Sequence, residues 1–220
     1  MGIAVVTGAN RGIGLELVRQ LRARGIEVVA VCRQSSPALD SFGARIESGF
    51  DVADARAWPA LAQRLVHDEV DLLIHNAGIG RFGGLADTTP QDVLAQFQVN
   101  ALAPLFLTQA LLPRLRRGSK VALVSSRMGS IADNGSGSFY GYRMSKAALN
   151  AAGMSLARDL RVQGIAVVML HPGAARTEMT NGHGDIDASD AAAGLLRRID
   201  ELTIETTGRF LHANGTELPW

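Results

Sequence analysis

Tyr142 and Lys146 offer the most chemistry in this chain. They lie four apart, so a helix puts both on one face, where an ammonium group lowers a neighbouring phenol's pKa from its ordinary value of about 10. That is a device for moving a proton near neutral pH. Of the 22 basic residues only Lys120 and Lys146 are lysines, and Tyr140 and Tyr142 are the two tyrosines. Chance would place one such pair at this spacing with a frequency on the order of 0.02. Alone, the pair reads equally well as a half-buried helix tyrosine beside a solvated cation. Asn100 and Ser126 add polar groups of the kind that would complete a proton-transfer site.

A second chemical signal is the run Thr7-Gly8-Ala9-Asn10-Arg11-Gly12-Ile13-Gly14, which leaves an apolar strand and opens a helix. Gly8 and Gly12 permit a tight turn and close approach to a pyrophosphate, Gly14 permits close packing, and the helix N-terminus attracts the anion. The second strand ends in Cys32 and Arg33, where an acidic residue would select a free ribose. With Arg11, Arg33 supplies two guanidinium groups for a 2′-phosphate, which favours NADP(H) over NAD(H). The alternative is a pair of ordinary exposed arginines. Asp51 and Val52 offer an acceptor and an apolar wall for an adenine ring, or Asp51 caps the next turn. Asn76, Ala77 and Gly78 end the fourth strand with residues small enough for a ligand to approach the backbone.

The elements that must position these groups alternate regularly. Strands are expected at 2–6, 27–32, 45–50, 71–75, 119–125, 165–170 and 208–212, and helices at 13–24, 55–68, 91–112, 142–162 and 189–201. Near-continuous apolar strands separated by helices imply a doubly wound α/β fold with about seven parallel strands and helices on both faces. Its ligands sit beyond the carboxyl ends of the strands, where the loaded loops fall. Within the helix at 91–112, Pro104 cannot donate to the carbonyl of Asn100, so that carbonyl is free to hold a water. Asn100 otherwise reads as a surface residue beside a kink.

The 220 residues, 47% of them hydrophobic, suit one domain spanning 1–220. A net charge of +1 gives no broad attraction for nucleic acid or an anionic membrane, and Arg114, Arg116 and Arg117 read as helix-end solvation. Cys32 is the single cysteine and the five histidines are scattered, so neither a disulfide nor a metal site is expected. No apolar run approaches the ~20 residues of a membrane span, and the cytoplasm is the expected location. His171 reads as a strand-end residue rather than a base.

Taken together, T-G-x-x-x-G-x-G at Thr7–Gly14, N-A-G at Asn76–Gly78, Asn100, Ser125-Ser126, Y-x-x-x-K at Tyr142–Lys146, and Pro172-Gly173 with Thr177 resemble the short-chain dehydrogenase/reductase family across essentially the whole chain. The stretch from Ser125 to Lys146 and the ending Asn214–Trp220 look most like its C-factor and sniffer-type carbonyl reductases. The resemblance implies that Tyr142 is the general acid in carbonyl reduction and the base in alcohol oxidation. It implies that Ser126 bonds the substrate oxygen, that Lys146 binds the nicotinamide ribose, and that a water links Asn100 to Lys146. Ser130 is the alternative to Ser126, because 133–138 looks like an inserted polar loop. Arg81, Phe82, Met128, Phe139, Met179 and His183 are candidate lining residues for a small carbonyl or alcohol substrate. The two long helices suggest a homodimer, or a tetramer. The C-factor likeness also allows an NADP-binding signalling module.

Overall fold

The computed structural model describes residues 2–220. The expected alternation is present. β1 (Ile3–Thr7) leads into α1 (Gly12–Ala23), followed by β2 (Val28–Val31), the one-turn α2 (Pro37–Asp40), β3 (Arg45–Glu47), α3 (Ala57–Arg64) and β4 (Val70–His75). Then come α4 (Pro90–Phe97), α5 (Ala103–Leu111), β5 (Leu115–Val124), α6 (Tyr140–Arg161), β6 (Ala166–His171), β7 (Ala175–Arg176), β8 (Ile186–Asp187), α7 (Ala188–Asp200) and β9 (Phe210–His212).

Seven strands form one parallel sheet in the order β3-β2-β1-β4-β5-β6-β9, while β7 and β8 form a separate two-residue pair. The strand order reverses between β1 and β4, which opens a crevice at their carboxyl ends. β1 and β2 are buried along their whole lengths because helices cover both faces. On one face Leu17, Val18 and Leu21 of α1 pack with Leu195, Leu196 and Ile199 of α7. On the other, Leu61 of α3, Leu107 and Leu111 of α5 and Leu149 of α6 enclose Val5, Leu73 and Leu123. No helix among the described residues is long and apolar enough to cross a membrane.

Several expected boundaries shift for local reasons. The third strand stops at Glu47 because Gly49 turns at φ +80 and the Phe50 amide folds back to the Cys32 carbonyl. The fifth begins early, at Leu115, and breaks register across Gly118, whose φ is +92. Arg116 and Arg117 therefore lie on a strand rather than at a helix end, and Arg116 pairs with Glu69 and Asp71. The helix expected at 91–112 is divided by a π turn, Gln98–Leu102, just before Pro104.

Gly14 tests how tightly the first crevice wall is built. An alanine would gain about 1 kcal/mol of helix propensity. Its Cβ, however, would stand 2.1 Å from the Gly8 carbonyl oxygen and 2.5 Å from Asn76 Nδ2. Backbone cannot yield as a side-chain tip can, and overpacking of this kind costs about 1–3 kcal/mol or more. Gly14→Ala is therefore expected to lower the thermal unfolding midpoint by several degrees; an unchanged or raised midpoint would refute that packing argument.

Candidate active site

The glycine-rich turn crosses the end of β1 with Gly8 at φ +65 and Gly12 at φ +53. A Cβ on Gly8 would stand 2.8 Å from Ala77 Cα, so the turn and the end of β4 touch backbone to backbone. Asn76 stitches them together: its Nδ2 donates to the carbonyls of Thr7 and Gly8, both at 3.1 Å, and Thr7 Oγ1 accepts from the amides of Asn76 and Ala77. α1 has no side-chain cap at Arg11, which leaves its first amides available to an anion. Asn10 lends its carbonyl to the Ser36 hydroxyl, and Ile13 packs on the core.

Around this crevice the expected nucleotide-binding residues are arranged unevenly. Arg33 is exposed and makes no side-chain hydrogen bond or ion pair with the described residues. Arg11 instead pairs with Glu178 across the crevice, a contact between exposed groups. Asp51 Oδ1 accepts from the Ala53 amide at 2.9 Å, so it caps its turn, and Val52 lies beside it, partly buried. Gly173 follows Pro172 at φ +91, and the Thr177 methyl lies 3.4 Å from where a Cβ on Gly12 would be. This loop thus packs over the glycine-rich turn.

The second group gathers at the ends of β4 and β5 and along α6. Asn100 is fully buried in the π turn, which rules out the surface reading. Its Oδ1 accepts from the Ile79 amide at 2.9 Å, while Nδ2 donates to the Ile79 carbonyl at 2.9 Å and to Ser145 Oγ at 3.0 Å. Ser145 in turn donates to the Tyr142 carbonyl at 2.8 Å. Lys146, 5% exposed, donates from Nζ to the Val124 carbonyl at 2.8 Å. Gly78 keeps this corner open, since a Cβ there would lie 3.3 Å from Asn100 Oδ1 and 3.8 Å from Lys146 Nζ.

One electrostatic expectation is corrected. The Lys146 ammonium does not lower the Tyr142 phenol, because burial acts on both groups and Nζ is turned to the Val124 carbonyl, 5.8 Å from the ring centroid. Burial raises the phenol's pKa above 10, with the Ser126 hydroxyl drawing it partly back. Burial also pushes the lysine down to about 8.

Ser126, not Ser130, is the serine whose hydroxyl bears on Tyr142. Ser126 also accepts from the Met128 amide at 3.2 Å, whereas Ser130 accepts from the Asp133 amide and lines a neighbouring cavity of about 400 Å³ with Met128 and Met144. The polar loop at 133–138 is tied down by Arg127 on Asp133 and by Arg143 on the Gly137 and Ser138 carbonyls. It ends with Ser138 and Phe139 both at φ +56. Phe139 meets the edge of Phe82 at 5.4 Å, and Phe82 meets Tyr142 at 5.3 Å, so aromatic rings roof the phenol. Burial, then His212, Arg127 and Lys146, push His171 down to about 3, and it packs edge-on to His212 as a neutral strand-end residue.

Sequence reasoning missed Ser145, Glu178 and Gln96, whose buried Oε1 accepts from the Arg81 amide. Only Ser145 carried a signal, lying three residues after Tyr142 on the helix.

A parallel sheet with a glycine-rich turn at its switch point, beside a cluster of Tyr142, Lys146, Ser126 and Asn100, is the architecture of a doubly wound α/β oxidoreductase. The short chain dehydrogenase family model matches residues 2–186, and the chain belongs to that family. It is 40% identical over 226 residues to the 1-hydroxy-2-glutathionyl-2-methyl-3-butene dehydrogenase of Rhodococcus sp. (strain AD45), covering 100% of both chains. It is 47% identical over 164 residues to the C-signal protein of Myxococcus xanthus, covering 73% of this chain and 99% of that one. Among solved structures, the NADPH-bound carbonyl reductase from chicken fatty liver superposes with a TM-score of 0.90 at 32% identity, covering 100% of this chain and 99% of the other.

The Lys146 shift fixes a pH dependence. With a folded pKa of about 8 against 10.5 when unfolded, the unfolded chain holds a proton between those values that the folded chain has released. Stability from this group therefore rises with pH across that window, and the cost of burying the charge is borne in full below it. Tyr142 acts oppositely above about pH 10. From pH 7.5 to 9.5 the wild type should gain about 2 kcal/mol on Lys146→Met in denaturant unfolding. Parallel pH profiles for the two proteins would contradict the assignment.

Proposed function

We propose that the chain binds NADP(H), in preference to NAD(H), and interconverts a small carbonyl compound and its alcohol. The observation that carries this reading is the buried Lys146 one helical turn from the half-buried Tyr142, with Ser126 and the glycine-rich turn alongside. The residues fit the cofactor. Gly8 and Gly12 take the left-handed turn that brings backbone close to a pyrophosphate, Gly14 lets α1 pack against that turn, Arg33 is free to meet a 2′-phosphate, and Gly78 leaves room beside Lys146. Asn10, Ile13, Asp51, Val52, Asn76, Ala77, Pro172, Gly173 and Thr177 would complete its walls. When bound, the cofactor supplies or accepts the hydride.

Tyr142 gives its proton to the carbonyl oxygen as negative charge develops there, and takes it back in the reverse direction. A raised phenol pKa keeps the acid form ready for reduction. Ser126 donates a hydrogen bond to the same oxygen and thereby stabilises the charge before the proton arrives. Lys146 has donors beyond the one given to Val124, and these would hold the ribose hydroxyls of a bound cofactor. Asn100 splints the π turn to α6, and a water held on its main-chain carbonyl would return the proton. Phe82 and Phe139 screen the phenol from solvent.

A homodimer is supported by outward apolar residues, Leu94 on α4 and Val162 at the C-terminal cap of α6, which are 69% and 82% exposed. A sedimentation run that gives a monomer at micromolar concentration would overturn it. A single cysteine supports a reducing, cytoplasmic setting. The likeness to the C-signal protein supports a second reading, an NADP-binding signalling module.

Tyr142→Phe separates these readings: it should lower reduction by at least about 10²-fold while leaving NADPH binding intact, whereas a signalling role should survive it. The carbonyl and alcohol panel should include 1-hydroxy-2-glutathionyl compounds, because one relative is named for such a substrate. Absence of Tyr142-dependent turnover with every compound would count against the reductase. Arg33→Asp should weaken NADPH binding by about 10- to 100-fold relative to NADH, as expected for losing a charge-assisted contact; an unaltered preference for the phosphate would remove Arg33 from the argument.

A further inference from the structure

Ser126 is useful only if its hydroxyl stays within reach of Tyr142, yet it sits on a loop, where backbone is ordinarily mobile. Two contacts flank it. On one side, the Ser125 hydroxyl donates to Asn150 Oδ1 at 2.6 Å, and the Ser125 amide donates to the Leu170 carbonyl at 2.7 Å. On the other, Gly129 lies flat on α6: a Cβ there would stand 2.8 Å from the carbonyl carbon and oxygen of Lys146 and 3.0 Å from Asn150 Nδ2. Both contacts fall on the helical turn from Lys146 to Asn150, directly below Tyr142.

We infer that Ser125 and Asn150 form a positioning pair that fixes the Ser126 loop against α6 and so sets the Ser126 to Tyr142 geometry. The inference rests on the carbonyl-reductase reading for its catalytic consequence. Ser125 and Asn150 are each only 3% exposed, so the bond is made away from water and is geometrically demanding. Asn150 also leaves Nδ2 without a hydrogen-bond partner. An unpaired buried donor costs stability, so stability alone does not account for an asparagine here. What asparagine gives here is an acceptor at the one point that reaches Ser125. The reacting groups thus sit on two elements, and the Ser125 to Asn150 bond joins them without itself touching substrate.

The two-tyrosine composition makes a direct test possible. In a Tyr140→Phe background, Tyr142 is the sole phenol, and its ionisation can be followed by phenolate absorbance without any turnover. Ser125→Ala and Asn150→Leu should each move that titration upward, in the direction given by Ser126→Ala, because the Ser126 hydroxyl that draws the phenol down is released. Neither should shift it further once Ser126 is alanine. With an active carbonyl substrate, each should lower kcat about tenfold, with NADPH affinity retained. Ser125→Thr, which keeps the hydroxyl, should restore both readouts. An unmoved titration in both variants, or a Ser125→Thr protein as impaired as Ser125→Ala, would overturn the pair. If Asn150→Leu does not fold, the Ser125→Ala and Ser125→Thr comparison decides alone. A wild type that reduces no carbonyl would defeat the reductase reading instead, and the phenol titration would still judge the positioning.

Discussion

Everything at the site depends on an ammonium group kept out of water at the end of β5. Lys146 is held by one carbonyl, that of Val124, where a solvated lysine would have three partners. Its readiness to meet other acceptors follows from that shortfall. Burying it is costly, and the surrounding fold meets the cost: α6 packs on the sheet through Leu149, Gly153 and Ala157, and the β5 strand supplies the carbonyl from a rigid ladder. The same burial raises the phenol, so the two groups are driven toward neutrality by their surroundings rather than toward an ion pair.

The fold itself was largely legible. Apolar runs such as Ala4-Val5-Val6 and Val28-Val29-Ala30-Val31 have few other places to go than a sheet covered on both faces, and the observed strands lie within a few residues of those expected. Boundaries were lost where a glycine took a left-handed conformation, as at Gly49 and Gly118, because composition does not disclose the sign of φ. Pro104 did disclose a disturbed helix, although the π geometry it accompanies emerges only in three dimensions.

At the site, residue types were easier to read than energetics. The spacing of Tyr142 and Lys146 placed them on one helix face as expected, but spacing says nothing about desolvation, and the direction of the phenol's shift came out reversed. Likewise Arg11 could be recognised as a cation near the glycine-rich turn, whereas its pairing with Glu178, 167 residues away, depends on how a distant loop folds back. Ser126 and Ser130 looked alike in the sequence and differ in the structure because the first caps a 3₁₀ turn at the strand end while the second faces into its own loop.

The Asn76 amide that bridges the ends of β1 and β4 has a thermodynamic corollary. Because a side chain rather than an incoming molecule fastens Thr7 and Gly8 to the neighbouring strand, the conformational entropy of shaping that socket is surrendered during folding. A dinucleotide arriving there has less ordering left to drive, and more of its contact energy is expressed as affinity.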